Sequence, residues 1–189
     1  PADIVIKSSS NDDYHDQDHL VPKKPGAVVI DSLELAQGSG RTSTHGIPIC
    51  AIEAMEHDDH PSGHPDQNAM YRFALDGIEI AHMGDVGNAL DEDQIAFFEG
   101  VDVLLALTGG PPTIALPDLM HMIHRVRLKL VIPIHFRTLA YRPANILWIE
   151  DFLQHFTDDR VEFAFAPTTE LTRDTLPERT TVRVLDYVR

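Results

Sequence analysis

The feature that most constrains the fold is a series of short apolar runs, each closed by a turn signal. They read DIVIK (3–7), AVVI (27–30), IPICAIEA (47–54), MYRFAL (70–75), IEIAHM (78–83), VDVLLAL (101–107) and LKLVIPI (128–134). Runs this short, rich in Val, Ile and Leu and bounded by Gly, Pro, Asp or Asn, are the pattern of β-strands with at least one buried face. RVEFAFA and TTVRVLDYV add two more such segments near the C-terminal end. Asp76-Gly77 lies between two of the runs and predicts a two-residue hairpin, since both central positions of that turn take φ > 0.

Helical spacing occurs in three places. DEDQIAFFEG sets Asp91 and Gln94 at capping-box spacing and closes at Gly100. LPDLMHMIHRVR brings Leu116, Leu119, Met120, Ile123 and Val126 onto one face, with Pro117 near its start. RPANILWIEDFLQHF aligns Ile146, Ile149, Leu153 and Phe156 on another. VPKKPG and HDDHPSGHPDQN read as irregular loops. Strands outnumber helices, and helices follow strands in the second half. Two sheets with helices outside them are expected, with a simple α/β sandwich as the alternative that periodicity leaves open, in a single domain spanning 1–189.

Charge narrows the function. Lys+Arg 15 against Asp+Glu 30 gives a net charge of −15, a field that repels nucleic-acid backbones and anionic membranes. No nucleic-acid or membrane partner is expected, and a small-molecule substrate is. The single Cys50 lies in the apolar run GIPICAI and reads as a buried, reduced thiol. With no apolar stretch near 18 residues and no signal-like start, a cytoplasmic location is expected.

Three polar segments follow strands. In IAHMGDVGN (80–88), Gly84 and Gly87 flank Asp85, so a carboxylate sits at a strand end where backbone can approach closely. The plainer reading is an Asp capping its own turn. In VIPIHF (131–136), His135 closes a buried strand, and a satisfied core histidine is the plainer account there. EHDDHPSGH holds His57, Asp58, Asp59, His60 and His64, either metal donors or a solvated acidic loop.

In their order and spacing, GIEIAHMGDVGNAL, GVDVLLALTGGPPTIALPDLMHMI and KLVIPIHFRT resemble the metallo-β-lactamase superfamily. The similarity is closest to its bacterial branch of metal-dependent hydrolases that includes ascorbate-phosphate lactonase-like proteins. The resemblance implies a four-layer αββα sandwich, α/β (α+β) in class, with one or two metals between the sheet edges. It maps a metal-binding His onto His57, the bridging Asp onto Asp85 and the final His onto His135. The first metal loop, Ser/Thr-His-x-His-x-Asp-His in the family, falls on SSSNDDY (8–14). There the paired imidazoles become Ser9 and Asn11, the Asp remains as Asp13, and the last His becomes Tyr14.

This eroded loop implies one divalent ion, zinc first with manganese or iron as alternatives, held by Asp13, Asp85 and His135, with His57 at the weakened position. Tyr14 or His15 stands as a fourth donor. Three protein ligands and an open position are the usual form of a catalytic zinc site. Hydrolysis of a small ester, lactone or phosphodiester by a metal-activated water is the implied activity, with Asp13 as the catalytic residue that orients the water or accepts its proton. Arg137 and Arg142 are either anchors for an anionic group or surface ion-pair residues. The alternative is a catalytically inactive scaffold with a binding or assembly role. The family's opening hairpin is not in this sequence, so an N-terminally truncated sandwich is expected, with an uncovered sheet edge that favours a homo-oligomer.

Overall fold

The computed structural model describes residues 1–11, 15–56 and 67–186. The first part of the chain forms β1 (Ala2–Lys7), β2 (Lys23–Asp31), α1 (Ser32–Gln37), β3 (Arg41–Thr44) and β4 (Ile47–Ala54). There follow β5 (Asn68–Leu75), β6 (Ile78–His82), α2 (Glu92–Phe97), β7 (Val103–Leu107), α3 (Leu116–Val126), β8 (Leu130–Ile134), α4 (Ile149–Leu153), β9 (Val161–Phe163) and β10 (Thr181–Val184). β1 and β2 pair in parallel as a two-stranded sheet. The large sheet has eight strands in the order β3-β4-β5-β6-β7-β8-β10-β9.

Local chemistry sets this topology. Asp76 and Gly77 both take positive φ, 51° and 77's own 75°, and fold β5 back onto β6 as an antiparallel hairpin. β6, β7 and β8 then run parallel, joined by crossovers that contain α2 and α3. Asp91 accepts from the Gln94 N–H while the Gln94 side chain accepts from the Asp91 N–H, a capping box that starts α2 as its sequence predicts.

Alternation along the central strands divides the apolar side chains between two faces. Leu104 and Ala106 of β7, Val131 of β8 and Val182 of β10 pack against Leu119, Met122 and Ile123 of α3 and Phe152 of α4. Fully burying a Leu, Ile or Phe is worth about 1.5–3 kcal/mol, so this face carries most of the core. On the opposite face Val103, Leu130 and Ile132 join Ile78, covered in part by Leu171 and Leu176.

Most of the strands occur where the apolar runs predict them. The helix expected over RPANILWIEDFLQHF is shorter, beginning only at Ile149. Upstream of it the backbone is committed elsewhere: Arg137 N–H donates to Leu147 O at 2.8 Å, and Leu147 N–H to Gly109 O at 2.8 Å. Those bonds hold the chain extended, and Pro143 disfavours helix before it. Cys50 is half-buried rather than fully enclosed, on the face of β4 opposite buried Ile49 and Ala51. No helix among the described residues is long and apolar enough to cross a membrane.

Candidate metal centre

The topology gathers the polar strand ends at one edge of the large sheet. β4, β6, β7 and β8 end there, and β5, running the other way, begins there. Ligand sites of sheets with parallel strands lie at such carboxyl ends. The residues that follow these ends, with those after β1, line a cavity of about 760 Å³.

Asp85 lies in its wall. The turn that carries it depends on Gly84, whose φ is +63° and whose added Cβ would lie 2.4 Å from the Ala69 carbonyl oxygen. No side chain fits there. The Asp85 N–H donates to Asn68 Oδ1 at 3.1 Å, so a fully buried side chain at the start of β5 fixes the turn. The Asp85 carboxylate meets His15 Nε2 at 3.2 Å through Oδ2, and His135 Nε2 lies 3.9 Å from Oδ1. Burial works to raise the Asp85 pKa, but the His15 hydrogen bond and the charges of His135, His15 and His82 bring it below the ordinary carboxylate value.

His135 reaches the cavity from β8 through a left-handed residue, φ 51°. Its carbonyl oxygen lies against Gly109, where an added Cβ would approach to 2.2 Å. Its ring is tilted toward Tyr141 with centroids 6.1 Å apart, and its Nδ1 is buried with no hydrogen-bond partner among the described residues.

His15, Glu56 and Asp85 each offer a donor atom, and these atoms lie within 4.8 Å of one another. An imidazole and two carboxylates at that spacing, with the His135 imidazole beside the same aspartate, form an N/O donor set suited to zinc, manganese or iron. The residues therefore fit a divalent ion. Of the residues assigned from sequence, Asp85 and His135 meet in the cavity and His15 joins them. Asp13, Tyr14 and His57, with His60 and His64, lie outside the described residues.

The eroded loop is visible in part. Ser9 Oγ donates to Asn11 Oδ1, and Asn11 Nδ2 to Gln67 O at 2.7 Å, so the two residues standing where imidazoles were expected engage each other and the backbone. Neither Arg137 nor Arg142 lines the cavity. Arg137 lies over the Trp148 ring at 5.0 Å with its Nε buried, and Arg142 Nε donates to Leu139 O, so neither arginine forms the expected ion pair among the described residues.

Sequence reading missed Glu56 as a donor, and it missed Tyr71 and His82 as a pair. Tyr71 of β5 and His82 of β6 are cross-strand partners whose rings stack in parallel, centroids 5.1 Å apart and planes 2° apart. Burial pushes the Tyr71 phenol up to about 12. It pushes the His82 imidazole down to about 4, against the opposing pull of the Asp85 charge. His82 is therefore neutral near pH 7.

Comparison with known proteins identifies the family and the fold. The sequence model of the beta-lactamase superfamily domain matches residues 1–135. A UPF0173 metal-dependent hydrolase of Carboxydothermus hydrogenoformans is 24% identical over 166 residues, covering 79% of this chain and 74% of its own. Among solved structures, a proposed Zn-dependent hydrolase of the metallo-beta-lactamase superfamily from Thermotoga maritima aligns with a TM-score of 0.75 and 29% identity. That alignment covers 97% of this chain and 81% of the Thermotoga one. A Parabacteroides distasonis structure, 14% identical with a TM-score of 0.60 over 97% of this chain and 76% of its own, shares the fold. The large sheet, the few helices outside it and the matched family model together make this chain a member of the metallo-β-lactamase superfamily, with the α+β fold that its sequence led one to expect.

Proposed function

We propose that the protein is a metal-dependent hydrolase of small ester, lactone or phosphodiester substrates, using one divalent ion, zinc before manganese or iron. The ion would be held by His15, Glu56, Asp85 and His135. The observation that carries this reading is the convergence of His15, Glu56 and Asp85 donor atoms within 4.8 Å in the wall of a cavity large enough for a small substrate. The names of the Carboxydothermus and Thermotoga relatives, both metal-dependent hydrolases by description, support it.

When bound, the ion supplies Lewis acidity, which acidifies water and polarises the bond to be broken. The chain's own residues do the rest. Asn68 and Gly84 hold the Asp85 turn rigid, so its carboxylate needs little reorganisation. Leu107, Ile134 and Ile146 give the cavity apolar walls that lower the local dielectric around the reacting groups. Lys7, the lysine on the wall among the described residues, is already engaged by Asp16 and Asp18. With no free Lys or Arg on that wall among the described residues, a neutral or singly charged substrate suits the cavity better than a phosphomonoester dianion.

The second reading, a scaffold without catalysis, is favoured by the Ser9–Asn11 contact that replaces the imidazole pair. Elemental analysis of the purified chain separates the two. The hydrolase reading expects at most one equivalent of Zn, Mn or Fe, lost in Asp85→Ala and weakened about tenfold or more in Glu56→Gln. It also expects turnover of p-nitrophenyl acetate or bis(p-nitrophenyl) phosphate that stops with chelator and returns with metal. Chelator-resistant turnover, or an ion unaffected by Asp85→Ala, would overturn the proposed ligand set.

A further inference from the structure

We propose that Tyr71 and His82 act as a paired neutral hydrogen-bond donor for the substrate's carbonyl oxygen as negative charge develops on it. This deepens the hydrolase reading and rests on it, and it narrows the substrate class to acyl esters and lactones.

The first support is the tautomer of His82. The Gly84 N–H donates to His82 Nδ1 at 2.8 Å. A ring nitrogen that accepts a hydrogen bond carries no proton, so in the neutral imidazole the proton is on Nε2. The donor cannot swing away, because Gly84 sits at φ +63° with the Ala69 carbonyl and the Asn68 side chain packed over its α-carbon. Backbone geometry thus makes Nε2–H an obligatory donor.

The second support is placement. β5 and β6 set Tyr71 and His82 directly opposite each other, and parallel stacking holds the phenol and the imidazole side by side. Both line the cavity that contains Asp85, Glu56 and His135. Among the described residues, neither the Tyr71 hydroxyl nor His82 Nε2 has a hydrogen-bond partner. Neither atom is sealed off from the cavity, so both are open to donate to a molecule that enters it.

The third support is electrostatic. The wall already carries the carboxylates of Asp18, Glu56 and Asp85. A lysine or arginine among them would be drawn into ion pairs, as Lys7 is. Neutral O–H and N–H donors are not withdrawn in that way and stay available for a developing oxyanion. Such donors favour an oxygen that is uncharged in the ground state and gains charge in the transition state. An ester or lactone carbonyl fits that description better than a phosphate that is anionic throughout.

The test uses the whole chain, with and without added Zn²⁺. Long-range ¹H–¹⁵N correlation of the His82 ring at neutral pH is expected to find the proton on Nε2; a proton on Nδ1, or an imidazolium, overturns the proposal. Phenylboronic acid, whose tetrahedral anion mimics the acyl-transfer intermediate, serves as the binding probe. Tyr71→Phe and His82→Phe are expected to weaken its binding about tenfold or more, while His82→Gln, which keeps an N–H near the position of Nε2, recovers most of the affinity. Zn²⁺ content is measured on every variant. Equal boronate affinity across all variants at unchanged Zn²⁺ content overturns the donor pair. Failure of the wild-type chain to hold Zn²⁺ defeats the hydrolase reading instead; boronate titration of the metal-free chain and the tautomer measurement then decide the donor pair separately.

Discussion

At the end of β6 a single imidazole links the stability of the fold to pH. His82 has an ordinary value of 6.5 that burial lowers to about 4 in the folded chain. Between those two values the unfolded chain binds a proton that the folded chain refuses. Folding is therefore fully favoured above pH 6.5, loses stability as pH falls toward 4, and loses no more from this group below that. The contribution is on the order of 3 kcal/mol. Urea melts between pH 4 and 7 are expected to show this slope, and His82→Phe, which keeps a stacking ring, should flatten it. An unchanged slope in the variant would assign the effect to another group. Asp85 and His135 are legible from sequence because each lies at the end of an apolar run. Tyr71 and Glu56 carry no such mark. Tyr71 was still recoverable by counting back from the Asp76-Gly77 turn, which pairs Leu75 with Ile78 and, four steps on, Tyr71 with His82. Glu56 was not, because one acid beyond a strand end looks like any solvated charge.

Among the elements, α3 contributes the most apolar surface to the helical side of the sheet. Leu119, Met122 and Ile123 are all essentially inaccessible and pack in the same cluster as Leu104, Val131 and Phe152. Leu119→Ala is expected to cost about 2–5 kcal/mol, read from denaturant melts as a lower midpoint at unchanged slope. A cost below about 1 kcal/mol would mean that the site collapses onto the missing volume. This helix was legible because its period-3.6 stripe is long. α1, although Asp31 caps it by accepting from the Leu33 and Glu34 N–H groups, is a six-residue helix and too brief to stand out. β3 reads Arg-Thr-Ser-Thr, a polar edge strand defined by pairing with β4 rather than by its own pattern. The start of α4 was misread because Ile146 lies at helical spacing from Ile149, whereas its N–H donates to Pro143 O and the next residue, Leu147, is held in extended backbone by Gly109 and Arg137. Periodicity records which side chains are buried; it does not record which backbone partner claims them.

For the whole molecule, the net charge of −15 means that folding gathers like charges, and the cavity concentrates several of them. A divalent cation bound only by the folded state relieves that repulsion and adds the ordinary linkage term, about 2.7 kcal/mol at one hundred times its Kd. For a chain of this size, that corresponds to a rise of roughly 5–10 °C in Tm. Scanning calorimetry with and without Zn²⁺ or Mn²⁺ is expected to show it for the wild-type chain and not for Asp85→Ala. Equal shifts in both proteins would place the ion away from the cavity.

The Gly109 α-carbon and the His135 carbonyl leave no slack between the loops that follow β7 and β8. The two strand termini are consequently geared together. A guest molecule that shifts the His135 backbone at one terminus is expected to press on the glycine turn at the other, so the rim would respond to such a shift as a single lever and not as two independent flaps.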